Sequence, residues 1–134
     1  MILVDAGPLI ALIHADDVHH QRCREVLASL REPMMTVWPA VTEAMYLLGF
    51  SAVAQDTLWE ILESDALSIA DLGESDYPRM RELMKKYQDL PMDLAAAALV
   101  RVAERESIRR IFTIDRRDFE IYRPHGIRRF EILP

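Results

Sequence analysis

Residues 1–13 read MILVDAGPLIALI. Met1 to Val4 is a short apolar run, and Asp5-Ala6-Gly7-Pro8 ends it. The run reads as a buried strand followed by a turn. Pro8 suits the first turn of a helix, so a helix is expected to start over Leu9–His14. The same alternation continues along the chain. Further strands are predicted at Met35–Trp38, Leu67–Ala70 and Ile111–Ile114, with Phe130–Leu133 as a last edge strand. Helices are predicted over His19–Arg31, from Pro39 to Gly49, over Gln55–Ser64, from Tyr77 to about Tyr87, and over Leu94–Glu106 behind an Asp93 N-cap. Strands alternating with helices imply an α/β layer fold with a mainly parallel sheet. Such sheets place their sites at the carboxyl ends of the strands.

Four acids lie beside apolar stretches: Asp5 in ILVD, Glu43 in AVTEAMYLL, Asp93 in PMDLAAAALV and Asp115 in IFTID. An isolated carboxylate beside a core is costly to desolvate unless it is paired or holds a cation. Asp5 and Asp115 follow strands directly, and Glu43 and Asp93 fall in early helical turns. All four can therefore reach one edge, where they would form an oxygen-rich site for a hard divalent metal. Asp118 reads either as a fifth, outer acid or as a turn or cap residue. His19 and His20 have no second His or Cys cluster, so a zinc site is not expected. Trp38, Trp59 and the methionine stripes read as core, with base stacking by Trp59 as the alternative.

The 134 residues have the usual size of one domain, and 51% are apolar, enough for a sizeable core. No run approaches the roughly 18 apolar residues that span a bilayer. The N-terminus lacks a basic n-region, so no secretory leader is expected. The single cysteine, Cys23, permits no intrachain disulfide and reads as a structural thiol. The net charge of −6 argues against nucleic-acid binding by bulk charge. It does not exclude a nuclease, since carboxylates at a metal site inflate the negative count. Nine arginines (101, 105, 109, 110, 116, 117, 123, 128 and 129) fall in the last third, as a phosphate-binding rim or as solvated charge.

VDAGPLIAL, TEAMYLL, KYQDLPMDLAAAALVRVAERE and IFTIDRRDFEIYR together resemble a PIN domain. The resemblance is in particular to the VapC-type toxin ribonucleases of bacterial toxin–antitoxin pairs, and it covers nearly the whole chain. It implies one domain over residues 1–134, a three-layer α/β/α sandwich with a central, mainly parallel sheet. It implies hydrolysis of RNA phosphodiester bonds with Mg²⁺ or Mn²⁺ as cofactor. Asp5, Glu43 and Asp115 match the family's acids, with Thr113 as companion to Asp115. With Asp93 they form the candidate catalytic and metal-binding set. The resemblance also implies a cognate antitoxin, a homodimer and a cytoplasmic location without membrane contact.

The chain departs from the family pattern at two positions. The family's DLADA stretch reads DLAAA here, so Ala96 stands where an aspartate is usual, and Ala6 stands where a threonine or serine is common. Asp93 lies one turn earlier on the same helix face. Either it substitutes for the missing ligand, or the site is weakened, by nature or by an introduced alanine. A catalytically inactive PIN-like module that binds RNA or protein is the alternative function.

Overall fold

A computed structural model describes residues 1–134. Five parallel strands form one sheet in the order β3-β2-β1-β4-β5. They are β1 (Ile2–Val4), β2 (Met34–Thr36), β3 (Leu67–Ile69), β4 (Arg110–Phe112) and β5 (Glu131–Leu133). Every residue of β1 is buried, as a continuous apolar run in a parallel sheet requires when both faces are covered. Seven helices cover the sheet: α1 (Ala6–Ile13), α2 (His20–Ser29), α3 (Trp38–Leu47), α4 (Ala52–Glu63), α5 (Tyr77–Lys86), α6 (Leu94–Glu106) and α7 (Arg116–Ile121). None is long and apolar enough to cross a membrane.

The first three strands step outward from β1 to β3 through helix pairs. The chain then returns through α5 and α6 and enters β4 on the other side of β1. The sheet therefore changes direction between β1 and β4, and open α/β sheets bind ligands at such a point.

Helix α6 anchors this return. Ala95, Ala97, Ala98, Leu99, Val100, Val102 and Ala103 are all buried, and the small residues let α6 lie close against α3. Two polar networks fix its outer face. Asp76 is 2% exposed and accepts hydrogen bonds from Gly73 N (3.0 Å), Arg101 Nε (2.7 Å) and Arg105 (2.9 Å). These contacts, led by the Gly73 bond and then the Arg101 bond, outweigh the cost of desolvating Asp76 and hold its carboxyl below the ordinary range. Glu104 accepts from Arg79 on α5 and from His125 N, each at 2.7 Å.

Several boundaries differ from those expected. β2 ends at Thr36, and Trp38 opens α3 with Pro39 in its first turn. Trp38 and Trp59 are not core residues. They are 51% and 47% exposed, with ring centroids 6.4 Å apart on the outer face of α3 and α4. Helix α1 starts at Ala6, earlier than expected, because the Asp5 side chain caps it. Helix α7 was not anticipated. Cys23 is fully buried, as expected.

Because Asp76 is enclosed and answered by two arginines, Asp76→Ala should lower unfolding free energy by about 2–4 kcal/mol in urea titrations. Glu82, the exposed partner of Arg79, is the control, and Glu82→Ala should cost under about 0.5 kcal/mol.

Candidate functional site

Asp5 stands at the carboxyl end of β1, and its backbone N–H donates to Phe112 O of β4 at 3.0 Å. Thr113, the next residue, is buried. Its hydroxyl donates to Asp5 Oδ2 at 2.9 Å and accepts from Asp115 N at 3.0 Å. Asp5 Oδ1 accepts from Ala6 N at 2.8 Å, the capping bond that starts α1. Each carboxylate oxygen keeps a lone pair for another partner. Gly7 closes the same corner: a Cβ there would lie 2.5 Å from Ile114 Cγ1, so a larger residue would push Ile114 away.

The other acids converge on this point. Glu43 comes from the second turn of α3, Asp93 from the N-cap of α6, and Asp115 and Asp118 from the start of α7. Asp17, in the loop after α1, joins them. All line one cleft of about 500 Å³ with Asp5 and Ala96. Asp93 is committed in part, since its Oδ1 accepts from Ala96 N at 2.8 Å as the helix cap. One Asp93 oxygen is left for any other role.

None of these six carboxylates forms an ion pair; every ion pair in the protein lies elsewhere. The charge is therefore unbalanced, and the protonation equilibria reflect it. Burial pushes the Asp5 carboxyl up despite the bonds from Ala6 and Thr113, and Asp93 adds to the rise. Glu43 is raised by desolvation and then by Asp93, Asp5 and Asp115. Desolvation in the cleft and the adjacent Asp118 carboxylate raise Asp115 to about 6.

A hard dication suits this donor set, which is all oxygen and lacks a counter-charge. No three of the acids lie close enough together to ligate one ion as a ready-made clamp. The arrangement fits an ion that takes one or two carboxylates directly and keeps several waters, as Mg²⁺ does.

All four acids singled out in the sequence reach the cleft, and Asp118, left open there, does too. Asp17 accepts from His19 N at 2.8 Å in the turn before α2, and it also faces the cleft. Tyr122, on the cleft wall, was missed, and nothing in its local sequence marks it. Most of the C-terminal arginines serve the fold rather than a rim. Arg101 and Arg105 hold Asp76, Arg109 donates to Arg129 O, Arg110 pairs with Glu32 and Glu131, and Arg116 and Arg123 donate to carbonyls. Only the side chains of Arg117, Arg128 and Arg129 have no protein partner.

The family model described as "PIN domain" matches residues 2–123. Ribonuclease VapC26 of Mycobacterium tuberculosis (strain ATCC 25618 / H37Rv) is 29% identical over 135 residues, covering 99% of this chain and 100% of that protein. The fold is similar to the crystal structure of VapC20 from the same species, described as a sarcin-ricin loop cleaving toxin. The TM-score is 0.76 at 18% identity, over 83% of this chain and 87% of that one. It is also similar to a chain of a toxin–antitoxin complex from Klebsiella pneumoniae, with a TM-score of 0.69 at 13% identity over 100% and 97% of the two chains.

The raised carboxyls have a consequence for the metal-free protein. A carboxyl raised in the folded state favours folding while protonated. That contribution is full below the ordinary carboxyl range and is lost as pH rises through the folded value, about 6 for Asp115. In EDTA, Tm should fall between about pH 4 and pH 7. Asp115→Asn should have the higher Tm at pH 8, with the gap closing near pH 4. A variant no more stable than the parent at pH 8 would contradict the charge imbalance.

Proposed function

The chain belongs to the PIN domain family, and on that premise we propose that residues 1–134 act as one divalent-metal-dependent endoribonuclease unit of the VapC type. The observation that carries the reading is the convergence of six carboxylates, without a cation partner, at the point where the sheet changes direction. A relative named as a ribonuclease, matching end to end, supports it.

Mg²⁺ or Mn²⁺ at this point would supply Lewis acidity, acidifying a bound water and offsetting the charge of the scissile phosphate. Asp5, oriented by Thr113 and Ala6 N, would be the central ligand. Asp115 and the free oxygen of Asp93 complete the cradle. Glu43 faces Asp5, Asp93 and Asp115 from α3 and would bind the ion through water or orient the nucleophile. Thr113 couples Asp5 to Asp115 by bonding to both, so the two carboxylates hold a fixed relation.

Ala96 weakens this site. Its methyl group forms cleft wall beside Asp93 and offers no ligand, and the Asp93 cap bond engages one of that residue's own oxygens. The same observation favours the second reading, a PIN-like module that binds RNA or protein without cutting it. A cognate antitoxin fits either reading, because an arginine entering the cleft would form charge-assisted bonds to carboxylates that have no cation. We read the location as cytoplasmic, since that is where an RNA substrate would be met. A homodimer would cover the exposed apolar side chains of α3, α4 and the turn between them: Tyr46, Leu47, Phe50, Val53 and Trp59.

Cleavage of a mixed RNA pool in Mn²⁺ separates the two readings. The parent should cut slowly, Ala96→Asp should cut at least about tenfold faster, equivalent to about 1.4 kcal/mol of barrier, and Asp5→Asn should not cut while keeping its fold. If Ala96→Asp and the parent are both inert but bind RNA, the binding-module reading stands instead. In sedimentation equilibrium the parent should be a dimer and Tyr46→Glu with Phe50→Glu a monomer. A monomeric parent would remove the dimer.

A further inference from the structure

Tyr122 follows α7 and is 2% exposed, yet it lines the acidic cleft. Its ring is clamped by edge contacts to Tyr87 (centroids 5.0 Å apart) and Phe119 (5.1 Å), so the phenol is held rather than free to swing. The neighbouring tyrosine hydroxyl has a protein partner: Tyr87 accepts from Arg123 N at 2.9 Å. The Tyr122 hydroxyl makes no hydrogen bond within the protein. The ring is buried but the hydroxyl is not among the enclosed unpartnered atoms, so it meets solvent and is free to donate to a ligand. Tyr122 forms part of the cleft wall, so a ligand in the cleft lies within its neighbourhood.

Resting on the ribonuclease reading, the geometry points to Tyr122 as a substrate-contacting residue, whose hydroxyl donates a hydrogen bond to a non-bridging oxygen of an RNA phosphate seated in the cleft. The chemistry of the site selects this kind of donor. A lysine or arginine at the same place would pair with the carboxylates and compete with the cation they are free to hold. A neutral hydroxyl leaves them free and still presents a proton to an anionic ligand. Burial raises the pKa of the phenol, and the nearby charges of Asp118, Asp115, Asp93 and Asp5 add to the rise. It therefore remains a donor across the range in which such an enzyme works. No bond forms or breaks at Tyr122; it positions the phosphate.

Tyr122→Phe tests the inference, since the ring and its edge contacts are kept and only the donor is lost. The probe is a short single-stranded oligoribonucleotide, titrated in Ca²⁺ to suppress turnover, on parent and variant. The expected result is Kd weakened about tenfold and Tm unchanged or raised. In ¹³C-tyrosine NMR spectra of the parent, the Tyr122 resonance should move on RNA addition. Equal affinity of the two proteins overturns the inference and leaves the ribonuclease reading standing. A lowered Tm in the variant, with no movement of the Tyr122 resonance, makes the residue structural and overturns it as well. A parent that binds no RNA overturns the ribonuclease reading, and the inference with it.

Discussion

The hydrogen bond from Thr113 Oγ1 to Asp5 Oδ2 joins residues 108 apart in the chain and sets the geometry of the cleft. It works because both residues leave adjacent parallel strands at the same level of the sheet, with Val4 paired to Phe112. The same hydroxyl accepts from Asp115 N, so one side chain ties the end of β1 to the start of α7. Asp5 in turn caps α1 through Ala6 N. A single buried threonine and a single desolvated carboxylate thus fix three elements around the point where the sheet reverses its order. Losing either would release the ends of the two central strands as well as the acids they carry.

The rest of the architecture sustains a concentration of negative charge that is unfavourable by itself. The arginines that pack along α6 are already engaged. Arg101 and Arg105 answer Asp76, and Arg79 answers Glu104, on the outer side of α6. These pairs hold α6 firmly in place and leave its N-terminus, with Asp93 and Ala96, facing the acids. The protein keeps its own cations out of the cleft, which is the condition for admitting one from solution. The distance between the acids would limit how such an ion is held, since no three meet closely enough to ligate it together. Ala96 bears directly on this limit, because a carboxylate there would add a ligand to the Asp93 side of the cleft.

Much of this was legible in the chain itself. Ile2-Leu3-Val4 followed at once by Asp5 announces a doubly covered strand with an acid at its carboxyl end, and the structure places it there. Asp93 ahead of an alanine-rich stretch reads as a helix cap and is one. That the four acids meet follows from strand alternation and from the family resemblance together. Other features were hidden for physical reasons. Trp38 looked like strand and core because a three-residue strand running straight into a helix leaves too little periodicity to mark the boundary, and size alone suggests burial. The six residues of α7 are too few to show a helical repeat. The place of Tyr122 depends on how α7 turns back against Tyr87 and Phe119, which is a tertiary fact with no local signature.

The most direct test is a Mn²⁺ soak with anomalous diffraction from crystals of the parent protein. The account predicts one anomalous peak in the cleft, within ligand distance of Asp5 and flanked by Asp115, with water completing its coordination. An empty cleft at saturating Mn²⁺, or a peak only at carboxylates outside it, would contradict the claim that the unpaired acids at the β1–β4 junction exist to hold a divalent cation.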